Sequence, residues 1–134
     1  MFASVPQLLV SVLQAHFATS RVCTELPANL EAEIAAGRNV IQVNRFGGGG
    51  DVITMDTAYM DVDVWAATLD AADTLAAQVA SWMRLYLPGH SATVTSGTGT
   101  FAACRSQTGM MQRPSGNPDV KRVGGAFTVT VHSA

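Results

Sequence analysis

The sequence predicts an α+β domain: a single mixed or antiparallel sheet built around one long β-hairpin, with two main helices packed on one of its faces. Three observations carry this reading. Ile41 and Val43 alternate with Gln42 and Asn44, and Met60, Val62, Val64 and Ala66 alternate with Asp61, Asp63 and Trp65, so two arms each have a dry and a wet side. One stretch before these arms and one after them repeat apolar residues at helical spacing. The end of the chain alternates again, Val123, Phe127, Val129 and Val131 against Arg122, Thr128, Thr130 and His132.

The first helix starts at Ser4-Val5-Pro6-Gln7, a capping serine, a proline in the first turn and a glutamine where a capping box wants one. Val5, Leu8, Leu9, Val12, Leu13, His16 and Phe17 form its apolar stripe, with Gln7, Ser11 and Gln14 opposite. His16 has no second ligand at helical spacing and reads as a boundary residue rather than a metal ligand. Arg21 to Leu26 then reads as a short strand stopped by Pro27, because proline cannot donate to a ladder. Residues 29–36 make one or two helical turns ended by Gly37 as a left-handed cap.

Between the hairpin arms lies Phe46-Gly47-Gly48-Gly49-Gly50-Asp51. Consecutive glycines lose much backbone entropy on ordering, so this segment is expected to be a mobile connection. The second long helix has Asp70 and Asp73 near its positive end and a stripe of Leu69, Ala72, Leu75, Ala76, Val79, Met83 and Tyr86, and it stops at Pro88-Gly89. Its other face, Thr74, Ala77, Gln78 and Ser81, is small and uncharged. From His90 the chain turns to Ser, Thr and Gly. Thr100 to Gln107 gives a modest strand, residues 108–118 a loop, and Gly124-Gly125 marks a bulge or a close backbone approach in the last strand.

A chain of 134 residues, 48% hydrophobic, has room for one compact domain, taken as 1–134. Only 13% of residues are charged, which leaves a neutral surface tolerant of close neighbours. No apolar run reaches the length of a membrane span, and Met1-Phe2-Ala3-Ser4 lacks a basic leader, so no membrane partner and a cytosolic site of synthesis are expected. Cys23 and Cys104 belong to no metal or redox motif and read as buried thiols.

Chemical motifs are absent. Gly47 to Gly50 is followed by Asp51 and a strand instead of the Lys-Ser/Thr and helix of a phosphate-binding loop, and Gly97-Thr98-Gly99 lacks the third glycine of a dinucleotide fingerprint. No cofactor and no metal are implied. Asp61 and Asp63 point to the same side of their strand, roughly 7 Å apart, a spacing seen for paired catalytic carboxylates. Neither has a nearby partner in sequence to set it up for catalysis, so the pair is read as a solvated sheet face rather than a catalytic one. A single lysine and a net charge of −2 oppose nucleic-acid binding by a domain-wide basic patch.

Charge is nonetheless unevenly distributed. Asp51, Asp56, Asp61, Asp63, Asp70 and Asp73 occupy a stretch without Lys or Arg, whereas Arg105, Arg113, Lys121 and Arg122 cluster near the end against Asp119 alone. On different sides of the molecule these patches would let identical copies pack head to tail; on the same side they would be intramolecular ion pairs.

Several segments resemble tail terminator proteins of long-tailed actinobacterial phages: Arg21-Val22-Cys23-Thr24-Glu25-Leu26-Pro27, the run from Val40 to Gly49, Asp61-Val62-Asp63-Val64-Trp65-Ala66, the run from Pro114 to Val123, and Phe127-Thr128-Val129-Thr130-Val131. The resemblance implies a virion protein, assembled in the host cytoplasm, that forms a hexameric ring, caps the tail tube and offers a surface to the head-tail connector or head-closure protein. No catalysis is implied. In this picture Gly47, Gly48, Gly49, Gly50, Asp51, Arg105, Arg113, Lys121 and Arg122 meet another subunit, the tube or the connector, while Asp61 and Asp63 line a lumen through which DNA passes. Another neck, head-closure or minor tail protein of the same virion is the near alternative, and a small carboxylate enzyme or ligand-binding domain the distant one.

Overall fold

The computed structural model describes residues 3–52 and 55–133, at 50–52 the backbone alone. Along the chain run α1 (Val5–His16), β1 (Arg21–Cys23), α2 (Leu30–Ala35), β2 (Val40–Val52), β3 (Met55–Ala66), α3 (Leu69–Tyr86), β4 (Ser91–Val94), β5 (Gly97–Arg113) and β6 (Lys121–Ser133). Among the described residues the strands form one six-stranded sheet in the order β1-β2-β3-β6-β5-β4, curled as a half-barrel. β1 pairs parallel with β2 and every other pairing is antiparallel, so the sheet is mixed.

α1 starts where its capping sequence places it: Ser4 Oγ accepts from the Gln7 N–H at 3.4 Å, and the helix buries Val5, Leu8, Leu9, Val12 and Leu13. His16 is exposed and stacks on Trp82 with ring centroids 4.7 Å apart. α3 is capped by Thr68, whose Oγ1 accepts from Ala71 N–H at 3.2 Å. It buries Ala72, Leu75, Ala76, Val79, Trp82 and Met83. Trp82 therefore joins the stripe, whereas Leu69 and Tyr86, the first and last residues of the helix, are 37% and 60% exposed.

α1 and α3 cover the same sheet face. Beneath them Ile41, Val43, Met60, Val62 and Val64 of the hairpin and Val123, Phe127, Val129 and Val131 of β6 are all buried in one core with Leu8, Leu9 and Leu13. Each such side chain contributes about 1.5–3 kcal/mol by leaving water, so the alternation seen in the sequence sets which face is covered.

α2 ends as its glycine requires: Gly37 has φ +91°, its N–H donates to Ile34 O, and Arg38 N–H donates to Glu33 O, both at 3.0 Å. This short helix covers one end of the opposite face, where Ile34 packs with Val40, Trp65 and Val120. Trp65, placed by alternation on the wet side, is therefore buried.

Three expectations are corrected. The strand read over Arg21–Leu26 ends at Cys23. The glycine segment is not a loose connection: Gly47, Gly48 and Gly49 pair with Tyr59, Ala58 and Thr57 inside β2, which runs to Val52. The loop read over 108–118 is strand as far as Arg113, paired with β6, and β4 with the start of β5 adds a further hairpin. In the last two cases the ladder to a neighbouring strand supplies the order that local propensity lacks. Register shifts after Arg45 and Gly49 in β2 and after Phe101, Ser106 and Thr108 in β5 also break the period of two on which the alternation argument depends.

Candidate functional site

On the open face, opposite α1 and α3, the central strands bring four charged side chains together. Asp61 and Asp63 come from β3, Arg113 from the end of β5 and Arg122 from the start of β6. Register explains the meeting. Trp65, Arg122 and Arg113 lie in one row across the sheet, and Asp63 and Gly124 in the next but one, which is the next on the same face. Gly124 has no side chain, which leaves a gap through which both arginines reach the carboxylate of Asp63. Arg113 Nη1 donates to Asp63 Oδ1 at 3.1 Å and Arg122 Nη2 to Asp63 Oδ2 at 2.8 Å. Arg113 Nη2 also donates to Asp61 Oδ1 at 3.2 Å, so one guanidinium bridges the two aspartates.

The arrangement answers an electrostatic problem. Arg113 and Arg122 face each other directly across the β5–β6 ladder, a placement that repels like charges. Asp63, only 1% exposed, sits between them and with Asp61 balances their charge, and Arg122 gains further support with its Cζ 5.2 Å from the Trp65 ring centroid and Nη1 donating to Pro114 O at 3.2 Å. The loop after β5 is thereby fastened to β6.

This geometry revises the sequence assignment of these residues. Asp63 is buried beneath two arginines and has no surface to offer a lumen. Arg113 and Arg122 meet aspartates of their own chain, which is the intramolecular outcome of the charge pattern. Two acids and two bases leave the cluster neutral, so repulsion of DNA phosphates does not follow from it. The carboxylate pair also loses the setting of a catalytic pair, since both aspartates are held by one guanidinium, and a surface cavity of about 700 Å³ lies elsewhere, between Gln7 and Val10, residues 23–27, and Val94-Thr95. Among the described residues no cluster of three or more His, Cys, Asp or Glu is arranged to hold a metal, and no helix is long and apolar enough to cross a membrane.

The remaining assigned residues are dispersed. Arg105 is exposed on β5 opposite Thr128. Lys121 Nζ donates to Pro118 O at 3.0 Å. Gly48 has φ +85°, and a Cβ there would collide with Thr57 O; a Cβ on Gly47 would come to 3.0 Å from the Tyr59 ring. Gly50 belongs to β2, while the side chain of Asp51 lies outside the described residues.

Sequence reasoning missed a second ion pair on the hairpin. Arg45 on β2 donates through Nη1 and Nη2 to Asp56 of β3 at 2.7 and 2.8 Å, and its Nε donates to Gly47 O at 3.1 Å. Asp56 is 4% exposed, and its hydrogen bonds hold the Arg45 guanidinium above its ordinary pKa. The signal lay in the alternation itself, because Asp56 stands at the dry phase of β3 with Ala58 and Met60 and needs a partner. At the register shift Phe46 turns outward, 54% exposed, and its ring lies 6.0 Å from that of Tyr59.

The curled sheet carries α1 and α3 on one face and α2 at one end of the other, where the central charged side chains are hydrogen-bonded to one another. The chain belongs to the phage tail termination protein family, whose model matches residues 1–134. Members of this family are structural components of the phage tail, so the resemblance read from the strands and turns holds at family level. No curated protein matches the chain in sequence.

Proposed function

We propose that this chain forms a homo-hexameric ring that caps the finished tail tube of a long-tailed actinobacterial phage, halts its polymerisation and presents a joining surface to the head-tail connector or head-closure protein. The observation that carries this reading is the family match along the whole chain. One ring face would reproduce the contact that a tube ring makes with its neighbour and the other would lack it, so addition of tube subunits ends there. DNA passes through the lumen. Of the residues assigned to contacts, Arg105, Lys121 and the glycine arm from Gly47 to Gly50 with Asp51 remain the candidates for meeting neighbours. Asp61, one-third exposed, belongs on a lumen wall only as part of a neutral pair with Arg113.

The test is to purify the chain and measure its mass by light scattering with and without tail-tube protein. Ring-sized particles, alone or on tube ends, are expected; a monomer that ignores tube protein sinks the proposal. Morphology separates the neck alternative: a phage lacking a terminator builds tails of abnormal length, whereas one lacking a head-closure protein has finished tails and leaking heads.

A further inference from the structure

Among the described residues the sheet leaves two long backbone edges without a strand partner, on opposite sides. β1 covers only Val40–Gln42 of β2, so from Val43 to Gly49 the side of β2 away from β3 faces no strand among the described residues. β4 covers only Gly97–Thr100 of β5, which leaves the side away from β6 open from Ala102 to Arg113. Unpaired N–H and C=O groups in such rows are templates for another strand, and proteins that stay apart usually blunt them with lysine, proline or inward charge. Neither stretch contains a lysine or proline. Arg45 is occupied by Asp56, and Arg113 by Asp61 and Asp63, which leaves Arg105 as the one charged side chain on either edge not hydrogen-bonded to a carboxylate. Register shifts interrupt both edges, but straight runs persist at Val43–Arg45 and Gly47–Gly49 on one and at Ala103–Ser106 on the other.

We infer that the open β2 edge of one copy pairs antiparallel with the open β5 edge of the next, joining the sheets of neighbouring copies into one continuous wall. This deepens the proposed ring and rests on it. A second copy is the occupant because it alone brings both edges, and because the directions agree. β2 runs with β6 and against β3 and β5. Copies related by rotation about a ring axis keep the same sense, so β2 meets the neighbour's β5 antiparallel, and the alternation β2-β3-β6-β5 continues across the junction without a break. The interface is heterologous, each copy using two different edges, and such contacts close into a ring when the rotation between copies permits. The open edges lie at the same height in the sheet: Gly49, Thr57, Thr130 and Ala103 share one row, and Val43 shares a row with Val62 and Gly125, level with β5 between Thr108 and Met111, so the two edges meet along the open stretch of β2. The uncovered face carrying Tyr59, Asp61 and Thr128 turns inward, with α1 and α3 outside.

The test uses two variants, each with one edge blocked by proline: Asn44→Pro or Arg45→Pro on β2, and Arg105→Pro or Ser106→Pro on β5. Successive strand amides point to opposite sides, so the member of each pair that keeps the melting curve of its reference, wild type or, for Arg45→Pro, the Arg45→Met variant that also lacks the Asp56 ion pair, has lost an outward N–H. Each variant alone is expected to assemble at least about tenfold more weakly than wild type. Mixed, they form a one-to-one dimer and nothing larger, since only one good edge remains on each. In assembled wild type, outward amides of Val43–Gly49 and Ala102–Arg113 exchange hydrogen at least about tenfold more slowly than in the monomer. Variants that assemble as wild type does, or edge amides that exchange equally fast in both states, overturn edge pairing and leave the tail role standing. A wild-type chain that binds tube protein only as a monomer does the same, and one that remains monomeric and ignores tube protein overturns both.

Discussion

Gly124 stands directly across the ladder from Asp63, and the carboxylate fills the space that a Cβ at position 124 would need. The glycine is required by a side chain on the neighbouring strand, since its own φ is unremarkable, and its absence of bulk lets Arg113 and Arg122 close over the carboxylate. Gly124→Ala should therefore lower stability by about 2 kcal/mol or more through overpacking. Gly109→Ala, where a Cβ would meet nothing within 4 Å, is the matched control. Denaturant unfolding of the pair checks this, and equal midpoints would contradict it.

Removing the shared carboxylate is a separate test. Asp63→Ala leaves Arg113 and Arg122, both more than two-thirds covered, facing each other without a counter-charge, at an expected cost of about 3–5 kcal/mol. Asp61→Ala touches a pair that water reaches and should cost less than about 1 kcal/mol. A double-mutant cycle between Asp63 and Arg122 should give strong coupling, and additivity would show that the clasp is not a unit.

The hairpin pair behaves likewise. Arg45→Met leaves the Asp56 carboxylate, only 4% exposed, without its counter-charge and should cost about 3 kcal/mol or more, exceeding Asp56→Ala, which strands a guanidinium that water partly reaches. Thermal melts of the two variants decide the order.

The glycine arm can be tested residue by residue. Gly48→Ala forces a Cβ onto Thr57 O at a positive φ and should destabilise by about 1–3 kcal/mol, whereas Gly49→Ala has open space and should be neutral or slightly stabilising. If both were neutral, the arm would be the loose connection its composition suggests.

Burial pushes the Cys104 thiol from 9.0 up to about 12, against a smaller opposing effect of Arg84. A raised folded-state pKa means full stability below pH 9, lost progressively as pH rises through the folded value because the unfolded chain releases its proton first. Stability should fall between about pH 9 and 12, and Cys104→Ala should flatten that part of the curve. Alkylation of Cys104 at pH 8 should be slow until the chain unfolds.

Much of this fold was legible in the sequence because burial follows period. The dry faces of the hairpin and last strand, the Ser4 cap and the Gly37 terminator are local or strictly periodic, and each is found where it was read. What escaped was set by distant strands. Gly47–Gly49 and residues 108–113 are strand because Thr57–Tyr59 and β6 pair with them, and nothing in their own composition says so. The charged cluster was legible as residue types but not as a geometry. Its aspartates and arginines are some fifty positions apart, and only register and the gap at Gly124 turn a charge asymmetry into an internal clasp.

The place of β6 has a consequence in time. The last strand of the chain is not at a rim: it slots between β3 and β5, and its ladder to β3 joins Met55–Ala66 to residues 121–132. The two hairpins on either side can form early from near neighbours, but their union waits until β6 docks between them, and contacts that span so much chain form slowly. Until then the β3 flank and the α1–α3 core lie unsealed. A chain in which residues 121–132 have not yet docked therefore has two half-sheets and no continuous wall.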